Sequence, residues 1–294
     1  MPADTDRYIG ADSAAGGGSD VLISVARLHA ELDLPGAPVL LDVRWKLGDP
    51  DGHSRYLEGH IPGAVYVDMR ADLASVPSAI SGRHPLPSLE AFQDAARSWG
   101  IRGDSTVVAY DDDGGLAAAR AWWLLRWAGM TTVHLLDGGL AGWRRAGHAL
   151  QTAPPEPAPG DVVLSRGHLP VLDLDDAARL AQVGALLDAR SGERFRGEVE
   201  PIDPRAGHIP GAISAPTADN LQADGTFASP TELRARFEDL GVDAAAQVGV
   251  YCGSGVTAAH EVAALAIAGF EASLCPGSWS QWCADPARPV ATGE

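Results

Sequence analysis

An internal duplication constrains the fold of this chain more than any other feature of its sequence. Residues 59–64 read Gly-His-Ile-Pro-Gly-Ala, and residues 207–212 repeat them letter for letter. Three further pairs of similar segments follow in the same order, at residues 41–44 and 187–190, 107–110 and 248–251, and 137–143 and 275–282. The offsets lie between 139 and 148 residues, too long a period for a solenoid. The sequence therefore predicts two tandem copies of one fold.

A proline-rich segment separates the two copies. Residues 152–160 contain four prolines, so they cannot form a helix or a central strand and are predicted to be a stiff, extended linker. We predict a first domain over residues 20–150, a linker over 151–164 and a second domain over 165–294. The residues before position 20 are polar and lack the basic start and apolar stretch of a secretory signal, so we expect a mobile leader there.

Short apolar runs alternate with segments of helical apolar spacing in each copy. The predicted strands are residues 38–43, 105–110 and 132–136 in the first copy, and 184–189, 247–251 and 272–275 in the second. The predicted helices are residues 88–100, 116–128, 231–240 and 256–268. This alternation predicts α/β domains with a mainly parallel sheet. Ligands of such sheets bind at the carboxyl ends of strands, beside the helices that follow.

Composition excludes several functional classes. The chain has 22 basic and 39 acidic residues, for a net charge of −17. A field of that sign repels phosphates and anionic membranes, so we expect neither nucleic acid nor a membrane as a partner. A small anionic substrate would need a local positive site. Lys46 is the only lysine and lies in Trp-Lys-Leu, so the chain has no Walker A loop.

The cysteines indicate a redox environment. Cys252, Cys275 and Cys283 are few and odd in number, which favours a reducing cytoplasm over a disulfide scaffold. No pair has Cys-x-x-Cys spacing, and no histidine pair stands at ligand spacing beside them. We therefore expect no metal and no cofactor. Cys275 and Cys283 are interpreted as buried filler, with redox pairing as the alternative.

One loop has the pattern of a reactive site. The strand ending at Tyr251 runs into residues 252–257, Cys-Gly-Ser-Gly-Val-Thr, just before a helix. Two glycines let successive amide N–H groups point at one spot, and the helix start adds the positive end of its dipole. A thiol in such an electropositive, partly open pocket is stabilised as the thiolate, and Ser254 and Thr257 add hydroxyl donors. The pattern predicts that Cys252 is a nucleophile. The alternative is a small apolar side chain at a strand end.

Two enzyme classes place a cysteine in a loop of this kind. A cysteine phosphatase needs an arginine at the sixth position after the cysteine to clamp phosphate, and that position is Ala258. It also has histidine before the cysteine, where this chain has Tyr251. A sulfur carrier needs only a thiolate and a ring of N–H donors. The loop therefore favours sulfur transfer.

The chain resembles the tandem-domain rhodaneses, a sulfurtransferase family, over residues 20 to 290. The twin Gly-His-Ile-Pro-Gly-Ala motifs and residues 252–257 carry this resemblance. It implies two rhodanese-like domains, each a mainly parallel sheet flanked by helices, with the persulfide-forming cysteine in the second. Aligning Tyr110 with Tyr251 places Asp111 where Cys252 stands, so the first domain is expected to be catalytically silent and to form one wall of a cleft.

The resemblance also bears on the substrate. Family members that use 3-mercaptopyruvate resemble this chain at Cys252, Gly253, Ser254, Gly255, Val256 and Thr257, whereas thiosulfate users follow the cysteine with basic residues. It implies sulfur transfer from 3-mercaptopyruvate through a persulfide to cyanide, a small thiol or a thioredoxin-like acceptor. One alternative is a thiosulfate:cyanide sulfurtransferase. Another is a persulfide carrier or interaction module without turnover.

Two arginines are expected to hold the carboxylate of the donor. The resemblance implies that Arg194 is the first. The second arginine of the family usually follows nine residues later, where this chain departs from the pattern with Asp203. Arg205 is expected to take its place or only to pair with neighbouring carboxylates, and Arg196 is a further possibility.

A Ser–His–Asp relay across the cleft is also implied by the resemblance. Its members here would be Ser254, His60 and Asp51, with Asp49 as the rival of Asp51. The alternative for His60 is a structural role, because His208 stands in the identical motif of the second copy. Both histidines would then fix a turn by hydrogen bonding.

Overall fold

The computed structural model describes residues 21–78, 80–243, 245 and 247–294. The leader expected before residue 20 lies outside these described residues. No helix within them is both long enough and apolar enough to cross a bilayer.

The first copy forms a five-stranded sheet in which every pair of neighbouring strands is parallel. Its strands are β1 (Leu22–Ile23), β2 (Val39–Asp42), β3 (Val65–Tyr66), β4 (Val107–Tyr110) and β5 (Val133–Leu136). They lie in the order β1-β5-β4-β2-β3. The helices of this copy are α1 (Val25–Glu31), α2 (Gly52–Glu58), α3 (Leu89–Ser98), α4 (Ala118–Trp127) and α5 (Gly139–Arg145).

The second copy forms a four-stranded parallel sheet. Its strands are β6 (Ala185–Asp188), β7 (Ile213–Ser214), β8 (Val248–Tyr251) and β9 (Ser273–Leu274), in the order β7-β6-β8-β9. Its helices are α6 (Leu174–Val183), α7 (Gly192–Arg196), α8 (Pro230–Asp239), α9 (Thr257–Ile267) and α10 (Ser278–Trp282), with a short 3-10 helix at Thr217–Asn220.

The structure confirms the predicted class, two tandem α/β domains with parallel sheets. Every predicted strand and helix is present, with ends that shift by at most two residues. The agreement is close because the apolar spacing that predicts each helix or strand is a local property of its own segment.

The repeated motifs join strands to loops through buried charges. In the first copy, Arg44 is buried and donates to Asp42 at 2.8 Å and to the Gly59 carbonyl at 2.9 Å. Arg190 makes the same pair of contacts in the second copy, to Asp188 at 2.6 Å and to the Gly207 carbonyl at 2.7 Å. These pairs tie the end of a central strand to the Gly-His-Ile-Pro motif, which explains why both segments recur together.

The segment between the sheets contains neither helix nor strand from residue 152 to residue 170. It packs along α3: Arg97 donates to the Val162 carbonyl at 2.9 Å, and Gln93 accepts from the Leu164 amide at 2.9 Å. Val162 and Leu164 are both buried. The segment therefore lacks helix and strand, as its prolines predict, and packs on the first domain.

Helices α4 and α9 pack against each other and join the two domains. Their buried side chains belong to one continuous apolar core, which includes Trp122, Trp123 and Trp127. Each helix follows the central strand of its domain, α4 after β4 and α9 after β8. The packing therefore brings the loop that precedes α9 against the first domain.

Candidate active site

Cys252 follows β8 at the wall of a cavity of about 690 Å³ between the two domains. Trp45 and Arg83 of the first domain and Arg194 and Ser254 of the second line the same cavity. The Cys252 side chain is only 1% exposed. The pocket is thus deeper than the partly open one expected from the sequence.

The loop is shaped to direct an amide at the sulfur. The Gly255 N–H donates to Cys252 Sγ at 3.1 Å. Gly255 has a φ of +79°, and a Cβ there would lie 2.5 Å from the Pro276 carbonyl oxygen, so only glycine fits. Val256 is buried and Thr257 begins the 11-residue helix α9, whose positive end therefore lies at the loop.

Helix α10 holds the loop from the other side. The amides of Trp279 and Ser280 donate to the carbonyls of Cys252 and Gly253, both at 2.9 Å. The Cys252 amide in turn donates to Ser278 Oγ at 3.1 Å. Three hydrogen bonds between backbone and helix start thus fix the position of the thiol.

Ser254 bonds to a histidine that the sequence analysis did not select. Its Oγ lies 2.8 Å from Nδ1 of His84, a buried residue of the first domain whose ring meets Trp45 edge-on. Burial lowers the pKa of His84 to about 4, and the nearby cations of Arg120 and Arg83 act in the same direction. The imidazole is therefore neutral at pH 7.

The predicted contact between Ser254 and His60 is wrong. His60 Nδ1 bonds to the Tyr56 carbonyl at 2.8 Å, and the ring stacks on Tyr56 with centroids 3.9 Å apart. His208 makes the matching contacts with Phe195, at 2.8 Å and 3.7 Å. The structural alternative is confirmed, because both histidines anchor the same turn.

The acidic member expected for the relay is not in place. Asp51 stands before α2 and makes no side-chain capping bond, while Asp49 is paired with Arg55 at 2.6 Å. Within the described part of the chain, no carboxylate is hydrogen-bonded to His84. The geometry supports a Ser254–His84 pair and not the triad that the resemblance implied.

Two guanidinium groups lie against the loop. A Cβ built on Gly253 would be 2.9 Å from a nitrogen of Arg83 and 3.4 Å from a nitrogen of Arg194. Arg194 reaches the cavity as expected and is paired with Glu200 at 2.8 Å and with Asp203 at 3.4 Å. Arg83 is a new member, contributed by the first domain and also paired with Asp203.

Arg205 does not take the place of the second family arginine. Its guanidinium donates to backbone carbonyls at the end of α10 and beyond, those of Trp282, Cys283, Asp285 and Arg288. Arg205 therefore does not form the predicted clamp, because its donors hold the chain after α10. Arg196 lines the cavity, yet it pairs with Glu198 at 2.8 Å on the surface.

Arg120 of α4 is a buried cation without a carboxylate. It is 0% exposed and donates to the carbonyls of Leu73, His84 and Gly255, the last at 3.1 Å. No salt bridge to Arg120 occurs among the residues that the structure describes. Burial lowers the pKa of Arg120 to about 10, and the charge of a Cys252 thiolate opposes that shift. The first domain thus places positive charge beneath the loop.

The other two cysteines are free and buried. Burial raises the pKa of Cys275 and of Cys283 to about 11. Both are therefore neutral thiols at pH 7. Within the described ranges, no three His, Cys, Asp or Glu side chains are grouped as metal ligands.

Comparison with known proteins agrees with this architecture. The model of the rhodanese-like domain matches twice, at residues 24–146 and 173–285. This chain belongs to the rhodanese family. It is a sulfurtransferase, as its curated relatives are named.

Two relatives and one solved structure show how far the similarity extends. The rhodanese is 50% identical over 281 residues to a putative thiosulfate sulfurtransferase, SseB, of Mycobacterium tuberculosis, covering 93% of this chain and 97% of the relative. It is also 50% identical over 286 residues to a probable 3-mercaptopyruvate sulfurtransferase of Pseudomonas aeruginosa, covering 93% and 98%. The crystal structure of SseA from Escherichia coli, described as a 3-mercaptopyruvate sulfotransferase, aligns with a TM-score of 0.78 at 35% identity over 88% and 98% of the chains.

In the first domain, the loop after β4 binds a carboxylate of the protein itself. The Asp111 carboxylate accepts from the amides of Asp113, Gly115, Ala117 and Ala118, all at 2.8 to 2.9 Å. In the second domain, the Gly255 amide donates to Cys252 Sγ in the loop that follows the equivalent strand. An internal carboxylate therefore holds the amides of the first-domain loop, at the sequence position that corresponds to Cys252.

Proposed function

We propose that this rhodanese transfers sulfur from 3-mercaptopyruvate to a thiophilic acceptor through a persulfide on Cys252. The observation that carries the proposal is the Gly255 N–H aimed at Cys252 Sγ, at the head of α9 and in a cavity between domains. Preorganised donors of this kind stabilise a thiolate, and afterwards the persulfide anion, without reorganising during the reaction. The low cysteine count supports a reducing, cytoplasmic setting.

The first half-reaction forms the persulfide. The Cys252 thiolate attacks the donor sulfur, a new S–S bond forms and the C–S bond breaks, so that pyruvate leaves as its enolate. The proton of the donor thiol ends on the enolate carbon, giving pyruvate. Ser254 and neutral His84 form a hydroxyl–imidazole pair able to relay that proton.

The second half-reaction returns the enzyme to its starting state. A nucleophilic acceptor (cyanide, a small thiol or a reduced thioredoxin-like protein) attacks the outer sulfur, and the Cys252 thiolate leaves. The transfer needs no cofactor, because both steps are displacements at sulfur.

The carboxylate of the donor fits the cations of the cavity. The loop contains no charged side chain after Cys252, so a neutral surface surrounds the transferred sulfur. Arg83 and Arg194 lie beside Gly253, within reach of a carboxylate a few bonds away from that sulfur. Guanidinium groups bind carboxylates with paired hydrogen bonds, which supports their role as the donor clamp.

The direct test is pyruvate release from 3-mercaptopyruvate combined with mass spectrometry of the Cys252 peptide. We expect stoichiometric pyruvate without acceptor, a gain of one sulfur atom on that peptide, and loss of both signals in Cys252→Ser. Cys275→Ser serves as the matched control, since that thiol is buried and neutral. Turnover that persists in Cys252→Ser would contradict the proposed nucleophile.

Thiosulfate is the second candidate donor. Its support comes from similarity and not from the cavity, because the pairing of Arg83 and Arg194 with protein carboxylates weakens the binding of either anionic donor. A relative named as a thiosulfate sulfurtransferase is also 50% identical. The ratio of kcat/KM for the two donors decides between them. A stable persulfide with negligible turnover from either donor would instead indicate a carrier.

A further inference from the structure

A carboxylate of the protein occupies the arginines that face the active loop. One oxygen of Asp203 accepts from Arg83 of the first domain, and the other lies 3.4 Å from Arg194 of the second. The Asp203 side chain is only 4% exposed. Asp203 thus bridges the two domains where both guanidinium groups pack against Gly253.

The charges around this bridge nearly cancel. Four arginines line the cavity: Arg83, Arg190 and Arg194 are paired with Asp188, Glu200 and Asp203, and Arg196 is paired with Glu198. In a protein of net charge −17, these arginines therefore offer an anionic donor little net positive charge, and the buried Arg120 lies beneath the loop, where it donates to backbone carbonyls. Such a donor gains attraction to the arginines only at the expense of an internal carboxylate.

The resemblance to the rhodaneses makes the position notable. Asp203 stands nine residues after Arg194, at the position where the resemblance implied a second arginine. The charge at this position is reversed, and Arg83 supplies a guanidinium from the other domain.

We propose that Asp203 is a specificity-determining residue that selects sulfur donors by their charge. Its carboxylate holds the place between Arg83 and Arg194 that the acidic group of a donor would take. A donor must share these arginines with Asp203 or displace it. The cost rises with the negative charge of the donor, so Asp203 favours a monoanionic donor over a dianionic one. This inference rests on the proposed function, since it concerns the donors of the same site.

Removing the charge of Asp203 tests the inference. Asp203→Asn keeps the shape of the side chain and eliminates the internal anion. Because Coulomb energy is proportional to the charge of the ligand, a factor gained by a monoanion is squared for a dianion. We expect KM to fall about threefold for 3-mercaptopyruvate and about tenfold for thiosulfate at low ionic strength, with a smaller effect in high salt.

Glu238→Gln is the matched control. It makes the same change in net charge at an exposed helix position, where Glu238 pairs with Arg234 at 3.0 Å. KM for both donors should be unchanged in this variant. If KM fell by the same factor in Glu238→Gln and in Asp203→Asn, the effect would come from the net charge of the protein. That result would overturn the inference.

The two donors also separate electrostatic selection from a structural role. If Asp203 only holds the arginines in place, Asp203→Asn disorders them and KM rises for both donors. That result, or an unchanged ratio of the two KM values, would contradict the proposal. The charge-dependent split between donors is the signature that a structural role does not produce.

A binding measurement keeps this inference distinct from the proposed function. Pyruvate and sulfate are unreactive anions of one and two charges, and their binding to Cys252→Ser can be followed by calorimetry. Asp203→Asn in that background should tighten sulfate binding more than pyruvate binding. Failure of sulfur transfer with this binding pattern intact would reject the proposed function alone. Normal transfer with unchanged anion binding would reject the role of Asp203 alone.

Discussion

His60 and His84 are both buried histidines of the first domain, yet their ring nitrogens face different partners. His60 Nδ1 is bonded to a backbone carbonyl and its ring is stacked on Tyr56. His84 Nδ1 is bonded to the Ser254 hydroxyl, in the other domain. His60 therefore fixes a turn, whereas His84 contacts the loop that contains Cys252. The atom bonded to Nδ1 distinguishes the two histidines.

Glutamine replacements of the two histidines should give opposite results. Loss of a proton relay typically lowers the rate by about 100-fold or more, so we expect that fall in kcat/KM for His84→Gln, with a flattened pH profile. His60→Gln should lower the unfolding temperature and leave kcat/KM within about threefold, since it removes packing and not chemistry. Steady-state kinetics and thermal unfolding of both variants check this. A large kinetic loss in His60→Gln alone would restore the relay predicted from the sequence.

The loops after β4 and β8 show how one strand–loop–helix element serves two purposes. In the second domain the loop presents an amide to the sulfur of Cys252. In the first, four amides bind the fully buried carboxylate of Asp111. Burial raises the pKa of Asp111, while these four N–H groups act to lower it. The loop after β4 therefore binds a carboxylate of its own domain, whereas the loop after β8 directs an amide at a thiol.

Removing the Asp111 carboxylate from the loop after β4 should destabilise the protein. Asp111→Ala leaves buried N–H groups without an acceptor, and we expect a loss of about 3 kcal/mol in the free energy of unfolding. Asp113→Ala, two residues away and exposed, should change it by less than about 0.5 kcal/mol. Chemical denaturation at pH 7 measures both. Equal stabilities of the two variants would show that the Asp111 carboxylate is not a stabilising feature.

At the scale of the whole molecule, buried histidines mark the interface between the domains. His260 of α9 contacts Thr217 at 2.8 Å and the Gly114 carbonyl at 3.2 Å, while His84 contacts Ser254. Burial lowers the pKa of His260 to about 4, as it does that of His84. Both rings are therefore neutral at pH 7, where they lie between the two domains.

Acid should loosen this interface through the histidines. Between about pH 6.5 and pH 4 the unfolded chain binds protons at these positions and the folded chain does not, so stability falls as pH falls through that window. From pH 7 to pH 5 each histidine accounts for about 2 kcal/mol of lost stability. Glu261, whose pKa is raised by burial, acts in the opposite direction. Urea unfolding of the wild type and of His260→Gln at both pH values measures how much His260 contributes to this loss of stability.

The loss between pH 7 and pH 5 should be about 2 kcal/mol smaller in His260→Gln than in the wild type. An equal loss in the two proteins would show that His260 does not couple folding to protons. Glu261 and the other carboxylates contribute equally to the pH dependence of both proteins, so the difference between the two losses reports on His260 alone.

The sequence by itself determined the tandem α/β architecture and the candidate nucleophile. These depend on local information: apolar periodicity within segments of 4 to 13 residues, and a cysteine, two glycines and a helix start within six positions. The internal duplication strengthened the prediction, because the same strand and helix pattern occurs twice. The sequence was misleading about His60, which fixes a turn in the structure. His208 in the identical motif of the second copy already indicated that role.

Only the tertiary structure decided which side chains surround Cys252. His84 lies 170 positions before its partner Ser254, and Arg83 and Arg120 reach the loop from the first domain as well. An isolated arginine or histidine carries no periodicity or spacing that would distinguish it from a surface residue. The packing of α4 against α9 brings these cations to the loop, and that packing depends on the shapes of two whole domains, which no local pattern encodes.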